Sequence, residues 1–142
     1  MKRAVVLLLV ALAATAEPVE RYGADVNDSL DAMWAEVLRI REEFDRTEGD
    51  TKALLDAQIA MLGLYKRATR VSADNIRARA PRVMVDVVHM LSTHYALKLA
   101  ALDYAAVGET ERADACIATT DKIEEVLLPL CDELLWCYKH RW

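Results

Sequence analysis

The stretch "VNDSLDAMWAEVLRIREEF", residues 26–44, sets Val26, Leu30, Met33, Val37, Ile40 and Phe44 at steps of 4-3-4-3-4. A helix turns about 100° per residue, so these six share one stripe, whereas a strand would scatter them over two faces. The stretch is therefore an amphipathic helix, and the same period recurs three times along the chain. "RTEGD" (46–50) breaks the pattern, and Asp50 is a good N-cap for the next helix. That second helix carries Leu54, Leu55, Met61, Leu62, Tyr65 and Ala68 and runs to about Arg70. "VSADNIRARAP" (71–81) is the longest connection, with Pro81 suited to a first helical turn. The third helix takes Val83, Val87, Met90, His94, Leu97 and Ala101 as its stripe, widened by Val88, Leu91 and Leu102, and Gly108 ends it. The fourth reads Ala113, Cys116, Thr120, Ile123, Leu127, Leu130, Leu134 and Cys137, with Pro129 expected to kink or interrupt it near Glu125. Four helices at about 25–45, 51–70, 81–107 and 109–140 predict an all-α, up-down-up-down antiparallel four-helix bundle.

The N-terminus, "MKRAVVLLLVALAATAEP", has a basic start at Lys2 and Arg3, an apolar run from Val5 to Leu12 and the small-residue site Ala14-Thr15-Ala16. That order predicts a secretory signal peptide over 1–16, with an apolar run short of the roughly 20 residues of a membrane helix. The remaining residues, 17–142, fit one domain in the periplasm or secreted, with no further membrane span. Taking Lys2 and Arg3 from the 18 basic residues leaves 16 against 23 acidic ones, a formal charge of −7. An acidic surface repels phosphate backbones and excludes nucleic acid as the expected partner.

Cys116, Cys131 and Cys137 make an odd count for an oxidising compartment, so at least one thiol is unpaired or bonds another molecule. On a helix, Cys131 and Cys137 lie about 9 Å apart along the axis, too far for a disulfide. No lipobox cysteine follows the signal. G-x-S-x-G, H-E-x-x-H, P-loop and dinucleotide-turn motifs are all missing, as are the Glu-x-x-His pairs of di-iron bundles, so no enzyme is expected. His94 is the one histidine on an apolar stripe and reads as a hydrogen-bonded core residue. Trp34 and Trp136 sit at stripe edges, where they pack or meet a partner. Asn27-Asp28-Ser29 matches the N-glycosylation pattern, which matters only in a eukaryotic source.

"ADVNDSLDAMWAEVLRI" (24–40), "AALDYAAVGETERADACIATTDKIEEVLL" (100–128) and the Met84-x-Asp86-x-x-His89 pattern together resemble the cytochrome b562 family. Without gaps, Gly108 falls on that family's glycine between helices three and four, and Ala113 and Ala115 on its alanine-rich fourth helix. The resemblance spans about 24–128 and implies a bundle holding one b-type haem for electron transfer. The family's axial Met and His fall here on Leu30 and Leu128, neither of which offers iron a lone pair. Met33 and Cys131 lie one turn beyond these positions, in opposite directions along the bundle, which separates them by about 9 Å relative to the family pair. Met33, Cys131 and His94 are the substitute ligands that a differently posed haem would use. Two functions are then open. One is a haem-free exported bundle with Leu30 and Leu128 filling its core, acting in binding, structure or stress response; the other is a haem b electron carrier with altered ligation.

The tail "LPLCDELLWCYKHRW" (128–142) offers a C-x-x-H in Cys137 and His140, not the C-x-x-C-H of covalent haem attachment. These two would share a helical face, yet a structural zinc wants four ligands. No metal is expected. The tail reads instead as an extension of helix four, and as the place for a protein partner or a disulfide-linked dimer.

Overall fold

A computed structural model describes residues 24–47 and 50–140. Four helices occupy nearly all of them: α1 (Ala24–Arg46), α2 (Thr51–Asp74), α3 (Arg79–Ala106) and α4 (Thr110–Lys139). No strand occurs among the described residues, and the helices pack on one another as an all-α four-helix bundle. The expected signal peptide lies outside the described residues.

Local chemistry accounts for each boundary. The Asp50 carboxylate accepts from the Lys52 amide at 2.9 Å and caps α2. α2 runs four residues past the expected Arg70, because the Asn75 amide donates to the Val71 carbonyl and its backbone N–H to Ser72, closing the last turn. α3 begins two residues before Pro81, which leaves the proline in the first turn, where its missing donor costs nothing. Gly108 takes φ +79°, and the Glu109 amide reaches back to the Tyr104 carbonyl at 2.9 Å, ending α3 in a left-handed cap. Pro129 neither ends nor divides α4, which continues through it to Lys139. Pro129 and Glu125 are both exposed, so water can take the carbonyl that proline leaves unpaired.

The stripe of α1 is buried as its spacing requires: Leu30, Met33, Val37 and Ile40 are inside, with Val26 and Phe44 at the two ends half-buried. On α2 the expectation fails in part. Leu55 and Leu62 are about half exposed, and the buried row is Leu54, Ala57, Met61, Leu64 and Ala68. Leu54 and Leu55 are neighbours about 100° apart on the helix, and only Leu54 keeps the inward place. α3 is the spine, packed closely on both α2 and α4, and is buried on more than one face through Val83, Met84, Val87, Val88, Leu91, His94 and Tyr95. α1 rests on α2 and lightly on α3, and hardly approaches α4 at the backbone level. Arg67 donates to Glu36 at 2.7 Å between α2 and α1, and Arg79 pairs with Glu133 between α3 and α4. These exposed pairs contribute little next to the fully buried Leu30, Met61, Leu64, Met84 and Leu134, each worth roughly 1.5–3 kcal/mol.

The two hairpins are unequal. α3 and α4 have 28 and 30 residues against 23 and 24 in α1 and α2. Phe44, near the end of α1, meets the Tyr95 ring at 5.0 Å between centroids and lies under the Lys98 ammonium. α3 continues eight residues past Lys98, and beyond that level Leu102, Val107 and Ile117 are exposed.

Candidate functional site

The candidate ligand positions do not converge. Leu30 is wholly buried in α1, but Leu128 is 67% exposed on the outer face of α4. The expectation that both leucines fill the core is corrected: Leu127, one residue earlier and about 100° round the helix, takes the inward place. Leu134 and Cys137 follow Leu127 at steps of seven and three and hold the same face. The ungapped match to the haem-binding family thus sets one ligand position inside the bundle and the other outside it.

Met33 is buried in the main core cluster, and Cys131 is half-buried at the edge of that cluster. Burial pushes the Cys131 thiol above the ordinary range, against a smaller opposing pull from the Arg41 guanidinium of α1. A thiol held protonated is a poor metal ligand. Cys137 is buried and its thiol is likewise raised by burial, whereas His140 is exposed. The expected shared face of Cys137 and His140 is not realised as a site. His140 Nδ1 donates to the Trp136 carbonyl at 2.7 Å, and its ring stacks on Trp136 at 4.1 Å. Among the described residues no three His, Cys, Asp or Glu side chains gather as a metal would require, and no cysteine is in a disulfide.

His94 is the most unusual polar residue in the bundle. It is 7% exposed, and its Nε2 lies 2.9 Å from Glu124 Oε1 across the α3–α4 interface. A carboxylate only accepts, so Nε2 carries the hydrogen. The Tyr95 ring stands edge-on at 6.0 Å. Nδ1 is buried with no hydrogen-bond partner among the described residues. The expected hydrogen-bonded core histidine is half realised, since one nitrogen is matched and the other is not. Residues 94 and 124 are equidistant from Glu109 in the α3–α4 turn, so antiparallel pairing about that turn was the signal for Glu124 that the stripe pattern missed.

The most enclosed of the described cavities, about 290 Å³, opens between α1 and α2 at the end near Asp50. Ile40, Phe44, Ala57 and Ala60 form its apolar wall, and the ion pairs Arg39–Glu43 and Lys52–Asp56, at 2.9 and 2.8 Å, ring its mouth. Alanines facing α1 create this space. Each of these four rim charges is matched by a partner in its own helix.

No helix among the described residues is long and apolar enough to cross a membrane. Comparisons with protein-family models, with curated proteins and with solved structures found no match.

Proposed function

We propose that this chain is an exported, haem-free helical bundle that works by binding or as a structural or stress-related protein, not as an electron carrier or enzyme. The observation that carries this is the divergence of the family ligand positions: Leu30 is sealed in the core and Leu128 points to solvent. Neither residue has a donor for iron, and α4 turns the second position away from the first. The export reading rests on the basic, apolar and small-residue order of residues 1–16. The non-enzymatic reading rests on the sequence, which carries none of the G-x-S-x-G, H-E-x-x-H, P-loop or dinucleotide-turn motifs. Titration of the purified protein with haemin, followed by absorbance, tests it. The expected result is no sharpened Soret band and no stoichiometric endpoint, and a one-to-one low-spin spectrum overturns the proposal.

One observation favours the alternative, a haem b protein with altered ligation. His94 Nδ1 is a buried nitrogen whose lone pair meets no donor. If His94 were the ligand, His94→Ala would abolish the low-spin spectrum while Met33→Ala and Cys131→Ala would leave it intact.

A further inference from the structure

We propose that the outer face of α4 is a homodimer interface, in which the α4 helices of two copies pack antiparallel about a two-fold axis between Cys131 and Asp132. Leu128 and Leu135 are 67% and 38% exposed and lie two turns apart, so they share a face to within about 20°. Cys131 falls between them, half-buried, and joins the stripe to the edge of the core. Among the described residues this flank stays open, with Leu128, Asp132 and Leu135 all exposed. Leu38, 47% exposed, lies on the side of α1 away from the Glu36–Arg67 pair that meets α2. An exposed leucine row beside an open helix–helix edge marks an interaction surface.

The charges on α4 identify the occupant as a second copy. Glu124 stands one turn before Leu128, and Lys139 one turn after Leu135, both exposed. When two α4 helices are set antiparallel, Leu128 of each copy meets Leu135 of the other, and Glu124 meets Lys139. Both pairings have the same centre, between residues 131 and 132, so one register satisfies the apolar and charged matches together. A parallel arrangement would set Glu124 on Glu124 and Lys139 on Lys139, and like charges oppose it. Asp132, beside the axis, is about 40° from Leu128 and about 60° from Leu135, so the two copies' carboxylates flank the axis at the rim and weaken the contact. The contact is isologous, as most homodimer contacts are. This inference goes beyond the haem-free reading and does not depend on it.

Sedimentation velocity of the purified protein, at roughly 10–100 μM, is the test. The wild-type protein is expected to dimerise. Leu128→Glu and Leu135→Glu should each raise the dissociation constant at least about tenfold, since each sets a carboxylate against a leucine. Both positions are exposed, so circular dichroism should show unchanged helicity. Lys139→Glu should weaken the dimer, and adding Glu124→Lys should restore it. Glu124 also accepts from His94, so a loss of helicity in the double variant would leave Lys139→Glu alone to judge the register. A wild-type monomer throughout this range overturns the proposal, as does a dimer indifferent to Leu128→Glu. Weakening by Leu128→Glu with no effect of Lys139→Glu refutes the antiparallel register. Haemin titration is unaffected by any of these outcomes, so the two proposals fail separately.

Discussion

Truncating Leu134 and Leu128 in turn tests the rotation of α4, on which the functional reading depends. Leu134 is wholly buried in the core cluster, while Leu128 is 67% exposed. Leu→Ala in a packed core costs roughly 2.7–5 kcal/mol, from lost transfer energy and the cavity left behind. α4 packs mainly on α3, so the site can partly collapse, and the lower part of that range applies, about 3 kcal/mol. For a domain of this size, about 4 °C is lost per kcal/mol, which puts the fall in Tm near 12 °C. Leu128→Ala should stay within about 0.5 kcal/mol, or about 2 °C. Urea and thermal unfolding followed by circular dichroism would measure both, at about 1 μM so that self-association does not contribute. An unchanged m-value would confirm that stability, not compactness, moved. If Leu128→Ala costs as much as Leu134→Ala, α4 is turned by about one residue. The family histidine position would then face inward, and the divergence of the two ligand positions would no longer speak against haem.

The two described glycines should respond with opposite signs to alanine. At Gly108, where φ is +79°, a Cβ meets no atom within 4 Å, so the cost is conformational alone, roughly 1–2 kcal/mol. Gly63 is inside α2 with the same open space, and Gly63→Ala should stabilise by roughly 0.5–1 kcal/mol; denaturant midpoints read both. Burial raises the Tyr95 hydroxyl from 10.0 to about 12, with Arg41 opposing and Asp45 adding to the shift. The folded pKa is the higher one, so the stabilisation is complete below pH 10 and is lost as pH rises toward 12, by up to about 2.7 kcal/mol. Unfolding at pH 9, 10 and 11 should show the decline, and Tyr95→Phe should flatten its tyrosine component; an equal slope in that variant refutes the assignment. Glu124→Ala leaves both His94 nitrogens unmatched and should cost roughly 1–3 kcal/mol, whereas His94→Leu should be near neutral, which equilibrium unfolding would resolve.

The positions that sequence spacing placed correctly are those where a single stripe was unambiguous. In α1 and α4 the three-four spacing named every buried large side chain among the described residues, because one apolar row allows only one inward orientation. α2 offered two rows, Leu54–Met61 and Leu55–Leu62, and periodicity alone could not rank them. α3 departed from its expected stripe in both directions: a helix with neighbours on two sides buries Met84, Ser92 and Tyr95 as well, while Leu102, expected to widen the stripe, is 41% exposed. Leu128 was misplaced because an ungapped match carries no rotation: one residue of register is about 100° of helix, enough to turn a core position to solvent. Glu124 was missed because a long-range pair leaves no local pattern.

Four amphipathic helices, their caps and turns and their antiparallel succession are written in local spacing and in links too short to allow another course, so they could be read residue by residue. Which helix is central, that His94 finds Glu124 and that Leu128 faces outward could not be read that way and emerged only in the assembled bundle. Each of these depends on how wide neighbouring helices stand and how far each one turns about its axis. Such quantities are set by packing between residues far apart in the chain.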